Sequence, residues 1–513
     1  KGVRTMLRQK IINCLLLFAA LSTLHCETYQ SQTVHKPRSN GRLVVSENNR
    51  FLQYENGEPF FWLGDTAWLL FKNLNRAEVE VYLENRRRKG FNVVQAVLLH
   101  SLPESNAHRD VALVGDNPAQ PLTTPGNNPA NRIEYDYWDH VDFVIDRAAE
   151  KGIHIAMLPT WGGNVKRGYF TVKSARKYGE WLAKRYRNKS NVIWINGGDI
   201  RGNSNTKIWQ ALGTAIHKTD PNHLMSFHPF GRTQSSTWFH NEEWLDFNMF
   251  QSGHRRYDQI RPGDDAATWK GEDNWRYVLE DYAKLPPKPT IDGEPSYENI
   301  PQGLHDPNEP YWQDKDVRRY AYWSVFAGAF GHTYGNNAVM QMHKPKYGEG
   351  DYGVRNYWYE GMDDPGAGQM RYLKALILSR PFFERVFDPS IIAGTNGSKY
   401  DYVIATRGKS YAFIYAYSGG NVNVSLGKIS GEKIKAWWYN PRNGEAKLLG
   451  YFDNKGTQKF ELPVLKKEGN DWVLVLDDAA KEFPAPGVNP ASKVSNKSED
   501  GILNLFGLLG SPE

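Results

Sequence analysis

The fold is decided by two stretches of this sequence, Val192-Ile193-Trp194-Ile195-Asn196-Gly197-Gly198-Asp199 and Pro289-Thr290-Ile291-Asp292-Gly293-Glu294-Pro295. Each is an apolar run, typical of a buried strand, that ends in a glycine followed by an acid. A buried parallel strand is apolar on both faces, so an acid directly after it lies where the sheet opens to solvent. We therefore expect Asp199 and Glu294 at one face of a parallel sheet, where two carboxylates can cleave a glycosidic bond.

Strand-like runs and helical patterns alternate on both sides of these stretches. The strand-like runs are Phe60–Leu63, Val93–Leu99, Ile153–Leu158, Val192–Ile195, Leu224–Phe227, Phe247–Phe250, Pro289–Ile291 and Phe330–Tyr334. The helical patterns include Arg76–Lys89, Tyr137–Lys151, Ser174–Tyr186, Thr206–His217 and Asp316–Ala329. Eight strands alternating with helices predict an α/β fold, a (β/α)8 TIM barrel. A doubly wound open sheet is the rival, but no glycine-rich phosphate loop follows the first strand.

Beyond about Pro381 the pattern changes to short β runs separated by turn signals. These runs are Tyr402–Thr406, Tyr411–Tyr417, Ile434–Tyr439, Ala446–Leu449, Lys459–Leu462 and Trp472–Leu476. Their spacing predicts a C-terminal antiparallel β-sandwich. We assign residues 43–385 to the barrel, residues 386–480 to the sandwich and residues 481–513 to a tail.

The N-terminal segment resembles a secretion signal. Arg8 and Lys10 precede the apolar run Ile11–Leu21, which is too short to span a bilayer as a stable helix. We expect a signal-peptide region over residues 1–26, a linker over residues 27–42, and export to the periplasm or surface of a bacterium. The run through Leu21 is the longest apolar stretch, so no transmembrane helix is expected in the mature chain.

Both cysteines, Cys14 and Cys26, lie in or just after this signal region. The mature chain is therefore expected to have no disulfide, no thiol catalysis and no cysteine-ligated metal. Cys26 is a candidate for lipidation, although Thr23-Leu24-His25 lacks the small residue that normally precedes a lipidated cysteine.

The composition suits a carbohydrate-binding protein without demanding one. The chain of 513 residues carries 17 Trp, 28 Tyr and 23 Phe, which can stack on sugar rings but are also good core residues. The formal charge of +6 is scattered, so nucleic-acid binding has no support, while an acidic polysaccharide is compatible. Histidines and carboxylates show no HExxH-type spacing, and we predict no metal and no cofactor. The protein is expected to be a monomer.

The paired acids carry the functional prediction. Asp199 follows the predicted fourth strand and Glu294 the predicted seventh, and these strands face each other across a barrel mouth. Retaining glycosidases need two carboxyl groups roughly 5–5.5 Å apart, while a wider gap of more than about 6.5 Å indicates inversion. The alternative for either acid alone is a salt bridge or a helix cap at the rim of the barrel.

Three motifs resemble a known family. They are Phe61-Trp62-Leu63-Gly64-Asp65-Thr66-Ala67-Trp68, the Trp194–Asp199 run with its Gly-Gly-Asp, and Ile291-Asp292-Gly293-Glu294-Pro295. They resemble the apiosidase-like glycoside hydrolases of family 140, and the C-terminal sandwich is similar to the collagen-binding-type module that accompanies them. The resemblance implies a retaining enzyme, with Asp199 as acid/base and Glu294 as nucleophile. It also implies cleavage of the bond between apiose and galacturonic acid in the pectin rhamnogalacturonan II. Related barrel enzymes usually carry Asn-Glu after strand 4, so the Gly-Asp here cannot be matched to them residue for residue.

Other predicted strand ends supply substrate-binding candidates. These are Asp65, Trp68, His100, Trp161, His228, Gln251, His254, His332, Tyr334 and Asn336. Asp65 can instead cap a helix and Trp68 can belong to the core. Either His228 or His332 can position the nucleophile by hydrogen bonding, or be a structural histidine.

The leading prediction is an exported glycoside hydrolase that degrades a plant cell-wall pectin side chain. One alternative is another glycosidase, a furanosidase or pyranosidase, acting on plant polysaccharide. The alternative from a different class is a non-catalytic glycan-binding protein whose active part is the sandwich. A Glu294→Gln variant separates the classes, because it should abolish turnover while keeping binding.

Overall fold

The computed structural model describes residues 41–261, 269–462 and 464–488. The predicted signal-peptide region, nearly all of the predicted linker and most of the predicted tail lie outside these ranges. Within them, every helix is too short or too polar to cross a bilayer.

A small antiparallel sheet comes first in the described chain. It consists of β1 (Leu43–Val45), β2 (Leu52–Tyr54) and β3 (Pro59–Phe60). Phe60 pairs with Leu52 in this sheet, so the first barrel strand begins at Trp62 and not at Phe60, as the sequence had suggested.

Eight parallel strands then form the barrel, as predicted. They are β4 (Trp62–Thr66), β5 (Val93–Val97), β6 (His154–Leu158), β7 (Val192–Ile200), β8 (Met225–Pro229), β10 (Asn248–Gln251), β11 (Thr290–Asp292) and β12 (Gly331–Tyr334), with β9 (Thr233–Gln234) an added antiparallel edge on β10. Six of them pair in the order β12-β4-β5-β6-β7-β8, and β10 pairs with β11. The two groups meet where the Asp246 N–H donates to the Met225 carbonyl at 2.9 Å and the Phe330 N–H to the Thr290 carbonyl at 3.1 Å.

Twelve α-helices in the described ranges connect or flank these strands. They are α1 (Leu70–Asn73), α2 (Arg76–Arg88), α3 (Tyr137–Glu150), α4 (Gly162–Lys166), α5 (Val172–Tyr186), α6 (Thr206–Thr219), α7 (Ser236–Phe239), α8 (Asn274–Tyr282), α9 (Asp314–Ala327), α10 (Asn337–Met340), α11 (Trp358–Gly361) and α12 (Pro365–Leu378). The sequence marks their starts chemically. At the start of α2, for example, the Asn75 side chain accepts the Glu78 N–H at 3.0 Å and the Glu78 carboxylate accepts the Asn75 N–H at 2.8 Å, a capping box.

The C-terminal strands form the predicted antiparallel sandwich. They are β13 (Val386–Phe387), β14 (Val403–Arg407), β15 (Tyr411–Ala416), β16 (Val422–Ser425), β17 (Lys433–Tyr439), β18 (Ala446–Asp453), β19 (Thr457–Phe460) and β20 (Trp472–Asp478). Six make one sheet in the order β13-β14-β15-β20-β17-β18, and β16 pairs with β19 in the other. The short strands β13 and β16 were not predicted from the sequence. β13 has only two residues, and β16, although Val-Asn-Val-Ser alternates, directly follows the turn signal of residues 418–421 and has only four.

The larger sheet is covered on both faces. Along β15, Tyr411, Phe413 and Tyr415 belong to the hydrophobic core that also holds the interior of the barrel. The intervening Ala412 and Ile414 belong to the core between the two sheets of the sandwich. Successive side chains of a strand point to opposite faces, so this alternation packs one sheet face on the barrel and the other on the second sheet.

Candidate active site

A cavity of about 310 Å³ lies among the loops that follow the carboxyl ends of the barrel strands. Seven of the predicted site residues line it: Trp68, His100, Trp161, Asp199, Gln251, His254 and Glu294. They come from the ends of strands 1, 2, 3, 4, 6 and 7 of the barrel, which is where barrel enzymes place their catalytic groups. The structure thus brings both predicted acids into one cavity.

A bulge at the end of β7 delivers Asp199 to this cavity. The pairing of β7 with β8 shifts register between Gly197 and Ile200. Gly197, Gly198 and Asp199 have φ values of +89°, +108° and +48°, so three consecutive residues take positive φ. A bulge of this kind bends a strand and redirects a side chain, and here it turns Asp199 toward the cavity.

The two glycines of the bulge are required by space as well as by dihedral angle. A Cβ on Gly197 would lie 2.5 Å from the carbonyl oxygen of His228, and one on Gly198 would lie 2.9 Å from the ring of Trp161. Only glycine fits this close approach of two backbones at positive φ. The Gly-Gly-Asp sequence is therefore the local cause of the position of Asp199.

Glu294 lies at the end of β11, held between two imidazoles. The His254 Nε2–H donates to Glu294 Oε1 at 3.0 Å, and His228 Nε2 lies 3.2 Å from Glu294 Oε2. The second contact is close but does not have the geometry of a hydrogen bond, so it is an electrostatic contact between the imidazole and the carboxylate. The strand end is fixed by Gln95, whose side-chain amide donates to the Gly293 carbonyl at 2.8 Å.

The pKa of Glu294 is lowered to about 2. Burial alone would raise it, but the contacts with His228 and His254 outweigh burial because both imidazoles favour the charged carboxylate. Glu294 therefore stays ionised across almost the whole pH range, as a nucleophile must.

The pKa of Asp199 moves the other way, to about 6. Burial is the first cause and the charge of Glu294 the second, while His228, His254 and the Gly231 N–H oppose them. The side chain is exposed by surface area, but it lies in a concave mouth where protein replaces much of the solvent. Two carboxyls in one cavity with pKa values pushed apart are the pattern of an acid and a nucleophile.

His228 lies directly behind both acids rather than in the cavity wall. Its Nδ1 accepts the Asp199 backbone N–H at 3.3 Å, which places the imidazole proton of a neutral ring on Nε2, toward Glu294. The ring is fully buried against Trp68, with centroids 5.1 Å apart, and Trp161, at 6.0 Å. His228 is thus a positioning group shared by the two carboxylates.

Trp68 and Trp161 lie side by side at the cavity, although Trp68 is only 4% exposed and also belongs to the hydrophobic core. The Trp68 and Trp161 rings meet at 5.2 Å, and His100 lies 5.5 Å from Trp161 on its other side. Burial lowers the pKa of His100 to about 4, so this histidine is neutral near pH 7. Trp68 Nε1–H also donates to the Tyr297 hydroxyl at 3.2 Å.

Five predicted substrate-binding residues do not line the cavity: His228, described above, and Asp65, His332, Tyr334 and Asn336. Asp65 is fully buried on the helix side of the barrel, where Tyr82 donates to it at 2.5 Å and Arg86 Nε lies 3.1 Å away, both from α2. Tyr334 likewise points away from the cavity and donates to Glu298 at 2.6 Å. Strand position was the only signal for both, and a side chain within a strand can face either the barrel interior or the surrounding helices.

The other two are also structural. Asn336 caps α10, accepting the Ala338 N–H at 3.0 Å, and its amide donates to Asp364 at 2.6 Å. His332 is fully buried within β12, and burial lowers its pKa to about 3. The prediction that these side chains contact substrate is therefore wrong.

The cavity also contains residues that the sequence did not single out. They are Arg232, Arg255, Arg261, Tyr297, His305, Gln341, Asp351 and Tyr352, together with glycines and apolar neighbours. Arg255 directly follows His254 and Tyr297 lies three residues after Glu294, so both stand near a recognised strand end. Asp351 and Tyr352 come from a loop long past strand 8, where no local pattern marks them.

Comparison with known proteins identifies relatives of both parts of the chain. A family model described as "Apiosidase-like, catalytic domain" matches residues 46–384, and one described as "Putative collagen-binding domain of a collagenase" matches residues 386–477. A search of curated protein sequences gives no match.

Two solved structures are similar over most of the chain. One, titled a glycoside hydrolase, is 52% identical, covers 87% of this chain and 99% of its own, and has a TM-score of 0.82. A glycoside hydrolase family 5 structure from Bacteroides vulgatus ATCC 8482 is 48% identical, covers 88% of this chain and 97% of its own, and also has a TM-score of 0.82. The chain therefore belongs to the apiosidase-like family and is a glycoside hydrolase.

Proposed function

We propose that the protein is a retaining glycosidase that removes a terminal neutral sugar from an acidic plant polysaccharide. The specific bond proposed is that between apiose and galacturonic acid in rhamnogalacturonan II. The observation that carries the proposal is the pair Asp199 and Glu294, whose pKa values of about 6 and about 2 are opposite in direction within one cavity. The name of the matching family model supports the choice of sugar.

The first chemical step uses both acids at once. The Glu294 carboxylate attacks the anomeric carbon, and the bond from that carbon to the leaving oxygen breaks. The leaving oxygen takes the electron pair and receives the proton of Asp199. His228 and His254 hold Glu294 in place for the attack, since each contacts a different carboxylate oxygen.

The second step reverses the roles. Once Glu294 is esterified its charge is gone, so the pKa of Asp199 falls and its carboxylate can accept a proton from water. The water oxygen attacks the anomeric carbon, the bond to Glu294 breaks, and the electron pair returns to the Glu294 carboxylate. The sugar is released with its original anomeric configuration.

The charge distribution of the cavity supports an acidic leaving group. Arg232, Arg255 and Arg261 all line it. Arg232 follows Gly231, whose N–H is hydrogen-bonded to Asp199, so the backbone of this cavity arginine lies beside the proposed proton donor. Guanidinium groups bind carboxylates by paired hydrogen bonds, which suits galacturonic acid as the leaving group.

The size of the cavity supports removal of a terminal sugar. Its volume of about 310 Å³ is at the lower end of the usual range for small-molecule pockets, roughly 300–1,000 Å³. A cavity of this size holds a short piece of a glycan rather than a long chain lying across the barrel mouth.

Incubation of the protein with rhamnogalacturonan II oligosaccharides and identification of the released sugar test the proposal. We expect free apiose from the native chain and none from Glu294→Gln. Release of another sugar would contradict apiose as the substrate sugar but would still support a glycosidase. Binding of the oligosaccharide with no release by the native chain would favour the glycan-binding alternative.

Proton NMR of the first product formed tests retention. A retaining enzyme releases the anomer that matches the substrate bond before mutarotation. The opposite anomer would mean inversion and would place a water molecule, not Glu294, at the anomeric carbon.

Export and oligomeric state belong to the same proposal. The predicted signal region lies outside the described residues, so secretion of the full-length chain from a bacterial host, followed by N-terminal sequencing, is the direct test. Gel filtration with light scattering tests whether the protein is a monomer.

A further inference from the structure

One loop contributes to the wall of the cavity, and the proposed mechanism makes no use of it. This closing loop, residues 341–353, follows α10. Gln341, Asp351 and Tyr352 from the loop line the cavity.

At the tip of the closing loop, the backbone of three consecutive residues, 351–353, is hydrogen-bonded by side chains from other positions. The Gln341 side chain accepts the Asp351 N–H at 2.9 Å and donates to the Asp351 carbonyl at 3.1 Å. The Asn337 amide donates to the Tyr352 carbonyl at 2.9 Å, and the Tyr311 hydroxyl donates to the Gly353 carbonyl at 2.8 Å. This clamp of hydrogen bonds fixes the backbone position of Asp351.

The clamp maintains a conformation that the chain would otherwise avoid. Tyr352 has a φ of +54°, which a residue with a Cβ rarely adopts. Backbone strain of this kind persists only where the surroundings hold it, and it concentrates at ligand-binding positions. Here it coincides with a cavity wall.

The Asp351 carboxylate is exposed to the cavity. Among the residues described, the hydrogen bonds of Asp351 run through its backbone, and no ion pair to its carboxylate oxygens is formed. Its charge acts on two neighbouring side chains: burial lowers the pKa of His343 and Asp351 opposes this, while burial and Asp351 together raise the pKa of Tyr352. The negative groups Asp199 and Glu294 lie in the same cavity. An acid fixed at such a place gains most from neutral hydrogen-bond donors, which the hydroxyls of a sugar supply.

We propose that Asp351 is a specificity-determining residue that accepts hydrogen bonds from two adjacent hydroxyls of the sugar being released, with the Tyr352 ring beside it. The proposal rests on the glycosidase function proposed above. A carboxylate has two oxygens and about four acceptor positions, so it can bind a vicinal diol with both oxygens. A uronic acid in the same place would bring a second negative charge, and Asp351 would reject it.

The charge pattern then orients the substrate. In this proposal Asp351 binds the neutral, hydroxyl-rich sugar, while the cationic residues of the same cavity, Arg232, Arg255 and Arg261, bind the acidic leaving group. In the reverse orientation the acidic group would meet Asp351 and lose its cations, which disfavours that orientation.

The test compares Asp351→Asn with Glu349→Gln, a loop acid that is exposed but does not line the cavity. On the sugar-releasing substrate, Asp351→Asn should lower kcat/KM by about 10- to 100-fold, mostly through a higher KM, because a hydrogen bond to a charged acceptor is lost. Glu349→Gln should match the native chain. Calorimetric titration of rhamnogalacturonan II oligosaccharide repeats the comparison without turnover, with both changes placed in the inert Glu294→Gln background.

The outcomes separate this inference from the proposed function. Native-like kcat/KM and native-like binding for Asp351→Asn would overturn the role of Asp351. In that case, loss of sugar release in Glu294→Gln would still support the glycosidase function. Equal losses for Glu349→Gln and Asp351→Asn would mean a general charge effect and would also overturn it. If the native chain releases no sugar and Glu294→Gln binds none, both proposals fail.

Discussion

Asp199 and Glu294 share a cavity, yet the protein makes one a weak acid and the other a strong one. The difference lies in their partners. Glu294 is placed between His228 and His254, whereas Asp199 receives a single backbone N–H from Gly231 and faces the charge of Glu294. Burial raises the pKa of both groups, and only Glu294 has contacts strong enough to reverse it.

This asymmetry predicts the pH dependence of hydrolysis. The active form needs ionised Glu294 and protonated Asp199, so kcat/KM should rise with pH through about 2 and fall as pH increases through about 6. The measurement is a pH profile on the sugar-releasing substrate. Asp199→Asn, assayed with an activated aryl glycoside that needs no acid in the first step, should lose the fall near pH 6. A fall that persists in this variant would mean that another group titrates there.

The two histidines beside Glu294 should differ in effect, although each contacts the same carboxylate. Replacing either His228 or His254 by Ala removes stabilisation of the charged carboxylate, so the acidic limb of the pH profile should move up by about one unit. Only His228 also accepts the Asp199 N–H. His228→Ala should therefore slow substrates with poor leaving groups by a further ~10-fold, since proton donation by Asp199 limits those substrates most.

The comparison of aryl and sugar leaving groups provides the control. His254→Ala should reduce activity on both substrates by the same factor. His228→Asn, which offers an oxygen to the Asp199 N–H, should recover part of the loss on the poor leaving group. If the ratio of activity on the aryl substrate to activity on the sugar substrate is the same in all three variants, His228 has no special role in proton donation.

At the level of elements, the bulge of β7 is where sequence and site are tied most closely. Gly198→Ala would place a Cβ 2.9 Å from the Trp161 ring at a φ of +108°. We expect it to destabilise the protein by about 1–3 kcal/mol, from crowding and strained backbone together, and to displace Asp199. Activity should fall by more than the loss of folded protein accounts for, because Asp199 is displaced in the molecules that remain folded.

Gly163→Ala is the matched control, because it is in the neighbouring helix α4 and a Cβ there would meet only the Trp161 ring at 3.8 Å. It should leave activity and the midpoint of urea unfolding close to native. A Gly198→Ala variant that behaves like this control would show that the bulge can relax without moving Asp199.

The elements that could be predicted from sequence are those with strong local signals. The Val192–Ile195 run gave its strand because apolar residues continue to a glycine, and Asn75 marked the start of α2 because its cap chemistry is local. The bulge itself was not foreseen, since β7 continues through Gly-Gly-Asp to Ile200. Its geometry depends on the approach of His228 and Trp161 from other parts of the chain.

The site residues, too, could be predicted only where a local sequence signal marks them. Glu294 and Asp199 could be identified because a polar group after a buried strand is unusual. Asp65 satisfies the same pattern, but it pairs with Arg86 on a helix about twenty residues away. Which of these acids meets the cavity depends on long-range packing, and no local pattern encodes the closing-loop residue Asp351.

At the scale of the whole molecule, the sandwich and the barrel share buried charges as well as a core. Arg318 of α9 donates to both carboxylate oxygens of Asp471, at 2.9 and 3.0 Å, and Arg380 donates to both of Asp477, at 2.7 Å each. The Tyr322 ring of α9 stacks on Tyr415 of β15 with centroids 4.7 Å apart. One face of the larger sandwich sheet is therefore buried against the barrel. We propose that the sandwich supports the barrel rather than binding collagen.

This interface predicts that the barrel and sandwich unfold together. Asp471→Ala removes the carboxylate that accepts two hydrogen bonds from the buried Arg318, whose remaining carboxylate partner is Asp314, at 2.6 Å, and it also removes the partner of Arg442 at 3.0 Å. Breaking a buried pair typically costs about 3–5 kcal/mol. Because the core is continuous, we expect one calorimetric transition in the native chain and one in Asp471→Ala at a clearly lower Tm. Asp453→Asn, which breaks only the exposed pair with Lys433 at 3.6 Å, should leave Tm almost unchanged. Two separate transitions in the native chain, with Asp471→Ala lowering only one, would instead make the sandwich an independent module free to bind a partner.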